Sequence, residues 1–474
     1  MTRLQKVLLI RKTLFAEEPA IHMSADKRAV LRQWLESGKA HLQPLTFPQR
    51  ELWEASPVPV RDISNHICCL IQLRGVTTAA ACEAAIQRVV DRQDVMRLSF
   101  LPGKERPLQM IRENCEANFR FRELSPAQRH EEAVEELARE IFREPFDLVQ
   151  GPLYRAEVLR RAADDHVLVF AIHHAIADGW TLGVFVQDLC LAYVRGLMGL
   201  HDGLPPLPLT YAAWGITERA FWQPVELERR AAFWKSALAG RRRLWKSVEG
   251  AETATGALHR WVVHFPPSLA EGARGLARAA GATLFSTLLA AFQITLSWWT
   301  GEKDILVGTP VASRSKPAVR DTMGYFAGIV PLRDQVETDR PFSASLRALH
   351  QTIVDCFANA MPFAELVRLL GDSPGQGHNP VFEVRFALQN HPVPDVALHG
   401  LSARLRMRST GTARFQLGCE ITELEEGLEV AWLFRPKLFP LDEIKGLASM
   451  FQSVLAGACA SPERHIGTLV TQIR

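Results

Sequence analysis

Two long stretches of the chain alternate helix-like and strand-like segments, and a proline-rich link, Asp202-Gly203-Leu204-Pro205-Pro206-Leu207-Pro208-Leu209-Thr210, separates them. No other feature constrains the fold as much. A single hydrophobic core stops growing at ~250–300 residues, so a chain of 474 residues is expected to build two domains. In the first stretch Cys82, Ile86, Val89 and Val90 fall on one helical face. His166 to Ile172 reads as a buried strand, and Thr181 is expected to cap the helix that carries Leu182, Phe185, Val186, Leu189 and Tyr193 on one side. After the link come a charged helix, Val225 to Leu238, and a basic loop, Arg241 to Ser247. The second stretch opens near His259. Thr283 to Trp299 is apolar nearly all round and predicts a buried helix, and Asp304 to Val311 predicts a strand. Val381 to Leu388 alternates, with Phe382, Val384, Phe386 and Leu388 facing one way. Glu420 to Phe434 predicts a hairpin turning at Glu425-Glu426-Gly427, and a helix from Leu441 to Cys459 closes the chain. There is no exact internal repeat.

Residues 1–44 read as a leader, either a mobile extension or a docking element. It holds a short apolar piece, Val7 to Ile10, and a helix from Ser24 to Trp34. The apolar piece is too short for a signal-peptide core, and no stretch approaches the ~20 apolar residues of a membrane span. A net charge of +3 is too small to argue for nucleic acid or an anionic membrane as partner. The eight cysteines form no CxxC pair, which removes zinc-ribbon and thioredoxin-like chemistry and fits a reducing cytoplasm.

Chemistry is concentrated in Ala171-Ile172-His173-His174-Ala175-Ile176-Ala177-Asp178-Gly179-Trp180. A buried strand ends at two adjacent histidines, and a helix begins within a few residues of Asp178 and Gly179. The strand fixes an imidazole whose unperturbed pKa lies near working pH, and the glycine allows close backbone approach to a substrate. Adjacent strand residues face opposite ways, so one histidine looks into a site while the other orients the motif, and the pair is unsuited to chelating one metal ion. Read without further context, two histidines at a strand end can also be a purely structural pair satisfied by backbone.

His173-His174-Ala175-Ile176-Ala177-Asp178-Gly179 resembles the HHxxxDG signature of the condensation domains of nonribosomal peptide synthetases, within the chloramphenicol acetyltransferase-like superfamily. Other stretches resemble that family's motifs in order: Leu45 to Trp53 its opening motif, Arg92 to Phe100 its RHExLRxxF, and Tyr211-Ala212-Ala213-Trp214 a YxDxAxW without the acidic residue. Val307 to Arg314 is similar to IGTPVANR, and Met361 to Val367 with Asn379 to Phe382 to the late PFExLV region. Departures fall in the second half. After Gly324-Tyr325-Phe326, Gly328-Ile329 stands where Asn-Thr is usual, Ala413-Arg414-Phe415-Gln416-Leu417 replaces Ala-Lys-Phe-Asp-Leu, and Trp432 to Phe439 departs from YNxxLF.

The resemblance implies an α+β fold of two chloramphenicol-acetyltransferase-like lobes, residues 45–220 and 221–474. They form a V-shaped pseudo-dimer with the active site in a tunnel at the lobe interface. It implies an acyltransferase that moves an acyl chain from the phosphopantetheine thioester of a carrier protein to an amine or hydroxyl acceptor, with no cofactor or metal of its own. No carrier, adenylation or thioesterase sequence follows in the chain. The expectation is therefore a stand-alone enzyme served by a carrier in trans, possible release onto a small soluble acceptor, and no nucleic-acid or membrane partner. His174 is implied as the catalytic residue and the Gly179 amide as an aid to the oxyanion. His173, Asp178 and Arg314 are implied as structural, Asp178 pairing with Arg314 across the cleft. The competing expectations are a catalytically inactive recruitment domain of the same fold, which tends to lose a motif histidine, an epimerisation domain, and a coenzyme A-dependent acyltransferase.

Overall fold

Strand-forming runs separated by amphipathic helices should bury one face of each helix on a sheet. The computed structural model, which describes residues 32–55, 63, 65–101, 107–200, 202–245, 258–314, 316–371, 379–389, 396–398, 401–408 and 415–471, shows this twice over. Residues 32–36 are helical, while the expected strand at Val7 to Ile10 and the start of the helix expected from Ser24 lie outside the described residues.

The first half contains β1 (Ala40–Pro44), α1 (Phe47–Ala55), β2 (His66–Arg74), α2 (Ala79–Arg92), β3 (Leu98–Leu101), β4 (Leu108–Arg112), β5 (Phe119–Glu123), α3 (Glu131–Arg143), β6 (Tyr154–Arg160), β7 (Asp165–His173), α4 (Gly179–Leu197) and α5 (Tyr211–Phe221). The second contains α6 (Pro224–Ala237), β8 (His259–Phe265), α7 (Pro267–Ala280), α8 (Leu284–Thr300), β9 (Asp304–Val311), β10 (Gly328–Gln335), α9 (Phe342–Ala358), α10 (Phe363–Leu369), β11 (Val384–Gln389), β12 (Val396–Leu398), β13 (Leu401–Arg408), β14 (Leu417–Leu424), β15 (Gly427–Phe434), α11 (Leu441–Ala460) and α12 (Ile466–Thr471).

Among the described residues the strands form two six-stranded mixed sheets, β12-β13-β2-β7-β6-β5 and β10-β9-β11-β14-β15-β8, and a three-stranded sheet, β1-β4-β3. Each large sheet has its own core. In the first, Phe170 stacks on Phe185 at 3.8 Å between β7 and α4, and Cys82, Ile86, Val89 and Val90 are buried as their spacing predicts. In the second, Phe292 of α8 touches Phe386, Trp432 and Phe451 at 5.0–5.9 Å. Helix α8 is framed by Thr283, whose side chain accepts from the Ser286 amide, and by Gly301 at φ 76°. The chain leaves the first core after Trp214 of α5 and enters the second at Trp234 of α6. No single helix among the described residues is long and apolar enough to cross a membrane; the bent pair α7–α8 that qualifies by composition packs its apolar residues into the second core.

The two halves interlock. Strand β13 pairs along β2 from Ser402↔Arg74 to Arg408↔Cys68, so residues from the second half extend the first sheet. Val319, Met323, Tyr325 and Phe326 also belong to the first core. On the outside, Arg50 of α1 pairs with Glu365 of α10, and Arg368 reaches back to Glu54 at 2.5 Å.

Two expectations are corrected. The strand expected from Val381 begins at Val384, because the Asn379 side chain accepts from the amides of Val381 and Phe382 and holds them in a turn. It is covered on both sides, since Ala387 is buried as well as Phe386, so alternation overstated its exposed face. The closing helix is followed by a further one, α12. The expected hairpin is present, with Leu424 opposite Gly427 at φ 122°.

The early placement of Phe382 explains Gly308. A Cβ on Gly308 would fall on the Phe382 ring. Gly308→Ala is expected to destabilise the protein by about 1–3 kcal/mol through forced displacement of a packed ring. Urea unfolding of the variant beside wild type measures this, and an unchanged midpoint would show that Phe382 moves aside freely.

Candidate functional site

Strand β7 lies between β2 and β6 and is buried almost throughout, so its end is rigidly placed. His173, its last residue, sits opposite His66 and donates its backbone N–H to the Leu153 carbonyl. Its ring is buried against those of His66 and Phe146, and its Nδ1 accepts from the Ala175 amide at 3.1 Å. His66 in turn donates from Nδ1 to the Phe142 carbonyl at 2.9 Å.

His174 starts a single 3₁₀ turn, His174–Ile176. The expected reason for the two rings to diverge, alternation along one strand, therefore does not hold, because the strand ends at His173 and the turn rotates His174 away. Its backbone N–H donates to the Asn65 carbonyl at 2.6 Å, and its half-buried ring meets Tyr325 with centroids 4.5 Å apart. The turn is gripped from α1, where Gln49 donates from Nε2 to the Ala175 carbonyl and accepts from the Thr46 amide at Oε1.

Thr181 is not the cap of α4. The helix starts at Gly179 and Asp178 caps it, accepting the Thr181 amide at 3.0 Å, while the Thr181 hydroxyl accepts the Asp178 amide in return. Asp178 is the better cap because its carboxylate also complements the positive helix start. That carboxylate is 3% exposed and the Arg314 side chain 1% exposed, with Nη2 lying 3.1 Å from Oδ1. A charge pair withdrawn from water is tolerated when most of its remaining hydrogen-bonding positions are filled, and in the Arg314 guanidinium only Nε is left without a hydrogen bond. Here Nη1 of Arg314 donates to the Val319 and Thr322 carbonyls, and its guanidinium lies 3.9 Å from the Phe326 ring centroid. Burial pulls the Arg314 pKa down and Asp178 opposes that pull. Oδ2 of Asp178 accepts the Phe326 amide, and the Thr181 hydroxyl bonds both the amide and the carbonyl of Gly324.

The quoted motifs therefore converge. Arg314 follows β9, and Ser313 before it takes φ 51°. Asp94, from the Arg92 to Phe100 stretch, accepts the amides of Tyr211 and Ala212, and Gln93 of the same stretch accepts the Met323 amide. The structure brings His173, His174, Asp178, Gly179 and Arg314 to one junction between the halves. Sequence reasoning missed Gln49, Tyr211 and Tyr325 as members. The motif stretches contain all three, but nothing in their spacing says which side chain crosses to the other half. Among the described residues no group of three or more His, Cys, Asp and Glu side chains is placed to hold a metal ion. A cavity of about 200 Å³ is lined by Phe146 together with Arg120, Glu144, Arg155 and Glu157 among others.

Asp178→Ala is expected to cost about 3–5 kcal/mol of stability, because Arg314 would remain buried without its partner. Chemical denaturation measures the loss. A variant that unfolds with wild type while losing its activity would make Asp178 a catalytic group instead.

This geometry can be set against known proteins. A linear gramicidin synthase of Brevibacillus parabrevis has a chain that is 29% identical over 440 residues, which are 90% of this chain and 8% of that protein. Isonitrile lipopeptide synthase of Mycobacterium tuberculosis is 30% identical over 449 residues, 90% of this chain and 18% of that protein. The chain thus spans a small part of the relatives it matches. The structure of the condensation domain from monacolin K polyketide synthase superimposes with a TM-score of 0.79 at 16% identity, covering 90% of this chain and 99% of that one. A model of the condensation domain family matches residues 39–472, and the chain belongs to that family.

Proposed function

We propose that this chain is an acyltransferase that moves an acyl or peptidyl group from the phosphopantetheine thioester of a carrier protein to an amine or hydroxyl acceptor. Family membership supports the reaction class. One observation carries the assignment of roles: the half-buried His174 imidazole stands at the seam of the two halves, in ring contact with Tyr325, and the start of α4 lies five residues further on.

In this reading the acceptor attacks the thioester carbonyl carbon while His174 takes its proton. The tetrahedral oxyanion forms beside the first turn of α4, where the Gly179 amide has no partner within the helix and the helix dipole favours negative charge. Collapse breaks the carbon–sulfur bond, and the proton held by His174 goes to the departing thiolate. The products are an amide or ester and the free phosphopantetheine thiol. His173, with Nδ1 engaged by the Ala175 amide, orients the turn, and Asp178 and Arg314 hold the second half against it.

The departures from the family motifs in the second half are taken to mark the acceptor side. Gly328 stands where an asparagine is usual, and a Cβ there would meet Val311 and Ser313 only at 3.5–3.6 Å, ordinary contact. The backbone does not require glycine, so its effect is to leave room at the end of β9 and β10. That room supports an acceptor other than a standard carrier-bound aminoacyl group, such as a small soluble molecule.

General-base assistance is worth ~10²–10⁴-fold. About a tenth of an α-amino group is already deprotonated at neutral pH, whereas an alcohol needs the base throughout. His174→Ala is therefore expected to slow transfer to a hydroxyl acceptor more than to an amine, read as acyl loss from a loaded carrier by intact mass. Wild-type rates for the variant with both acceptors would contradict the assignment. An equal loss for both would make His174 a positioning group, and transfer from coenzyme A thioesters in preference to the carrier would identify the other acyltransferase class.

A further inference from the structure

Helix α1 opens with a Thr-x-x-Gln box. The Gln49 backbone amide donates to the Thr46 hydroxyl at 3.3 Å, and the Gln49 side chain accepts the Thr46 amide at Oε1, 3.0 Å away. The box is fixed from α5. The Thr46 hydroxyl lies 2.9 Å from that of the buried Tyr211, and the Phe47 amide donates to the Glu218 carboxylate at 3.0 Å. Gly215 lets the two elements approach, since a Cβ there would come within 3.0 Å of Thr46 Cγ2. On the outer side Arg50 pairs with Glu365 of α10, so the second half of the chain holds α1 as well. Gln49 is 1% exposed, and the other end of its side chain crosses to the turn that carries His174: Nε2 donates to the Ala175 carbonyl at 3.2 Å.

A glutamate closes a capping box as well as a glutamine does, because the box asks the side chain only for an acceptor. The donor end of Gln49 therefore serves the turn and not the helix. The buried Ala175 carbonyl needs that donor. The 3₁₀ turn His174–Ile176 is one turn long, and the Asp178 amide, which would bond Ala175 if the turn ran on, donates to the Thr181 hydroxyl instead. From this geometry we infer that Gln49 is a positioning residue for the proposed catalytic His174, acting through the Ala175 carbonyl to hold the backbone of the turn against α1. The inference concerns where the turn sits, not the rotation of the His174 ring. An amide, or a carboxyl that keeps its proton, accepts at one end and donates at the other, whereas an ionised carboxylate cannot donate. Misplacement near 1 Å at a reacting centre costs up to ~10²-fold, so the hold matters to rate before it matters to folding.

The inference rests on the proposed role of His174, and the test separates the two. Gln49→Met keeps the length of the side chain and removes both of its bonds. Gln49→Glu keeps the acceptor for the Thr46 amide, and the introduced carboxyl donates to Ala175 only while protonated. Burial favours its neutral form, so the bond is present at low pH and is lost as pH rises through the raised pKa. Both variants are assayed beside wild type for kcat and KM on a loaded carrier, from about pH 6 to about pH 8.5, with urea unfolding at each pH. Hydrogen exchange of the peptide over residues 173–178 is followed by mass spectrometry. Dividing each kcat by that of wild type at the same pH cancels the titration of groups the proteins share. Gln49→Met should lower kcat by roughly 10- to 100-fold at every pH with little change in KM, and should speed exchange in that peptide. For Gln49→Glu the ratio should stand near one at the acid end and fall towards the Gln49→Met value at the alkaline end, while the variant stays folded. Wild-type kcat or wild-type exchange in folded Gln49→Met, a ratio for Gln49→Glu that does not change with pH, or a loss that coincides with unfolding would overturn the inference. Should Gln49→Met fail to fold, the pH course of Gln49→Glu decides alone. If His174→Ala were fully active while exchange changed as stated, the catalytic reading would fail and the hold of Gln49 on the turn would stand.

Discussion

Everything at the junction depends on one buried charge pair, Asp178 with Arg314. Removing both charges from water is expensive, so the pair persists only because protein groups replace the lost water. Asp178 accepts from Thr181 and Phe326 as well as from Arg314, and Arg314 donates to Val319 and Thr322 besides Asp178. Those partners come from both halves of the sequence. The pair cannot be satisfied unless residues 319–326 lie against the start of α4, so it fixes arrangement more than it adds net stability. Asp178 is at once the helix cap, the counter-ion and the anchor of Phe326, which is why a short polar side chain at that position carries so much of the site.

The second constraint is the exchange of strands. β13 completes the first sheet on β2, the strand whose end faces His173. The hydrogen bonds of a sheet edge therefore tie residues 401–408 to the platform that holds the histidines. Two separate cores, each large enough to fold around its own sheet, are thus joined by a ladder at one place and a buried charge cluster at another. Charge pairs between α1 and α10 add a third contact on the outside, where solvent screening keeps their contribution small.

Local physics made much of this legible in the sequence. The strand Asp304–Val311 and the buried face of α2 follow from residue spacing alone. So does the strand ending at two histidines, because its apolar run has no polar interruption. What failed did so for identifiable reasons. Asp178 and Thr181 form a reciprocal cap, and spacing alone did not tell which is the cap and which the third helical residue. The run at Val381 looked like strand because an Asn379 turn leaves no trace in alternation. The joining of β13 to the other sheet was not legible, since period-two alternation reports a strand and not its neighbour. Tyr325 was quoted within a motif, yet its contact with His174 spans about 150 residues and exists only once Arg314 and Tyr211 have placed the segment.

The central claim is that Asp178 and Arg314 act as one unit joining the halves at the turn that carries His174. A double-mutant cycle with Asp178→Asn, Arg314→Gln and both together, read by urea unfolding, tests it most directly. If the two residues form one desolvated pair, each single change leaves the other without its full set of partners, and the double variant should lose less than the sum by about 1–3 kcal/mol. Losses that add to within about 0.5 kcal/mol would mean that the two side chains act independently, and would contradict the account.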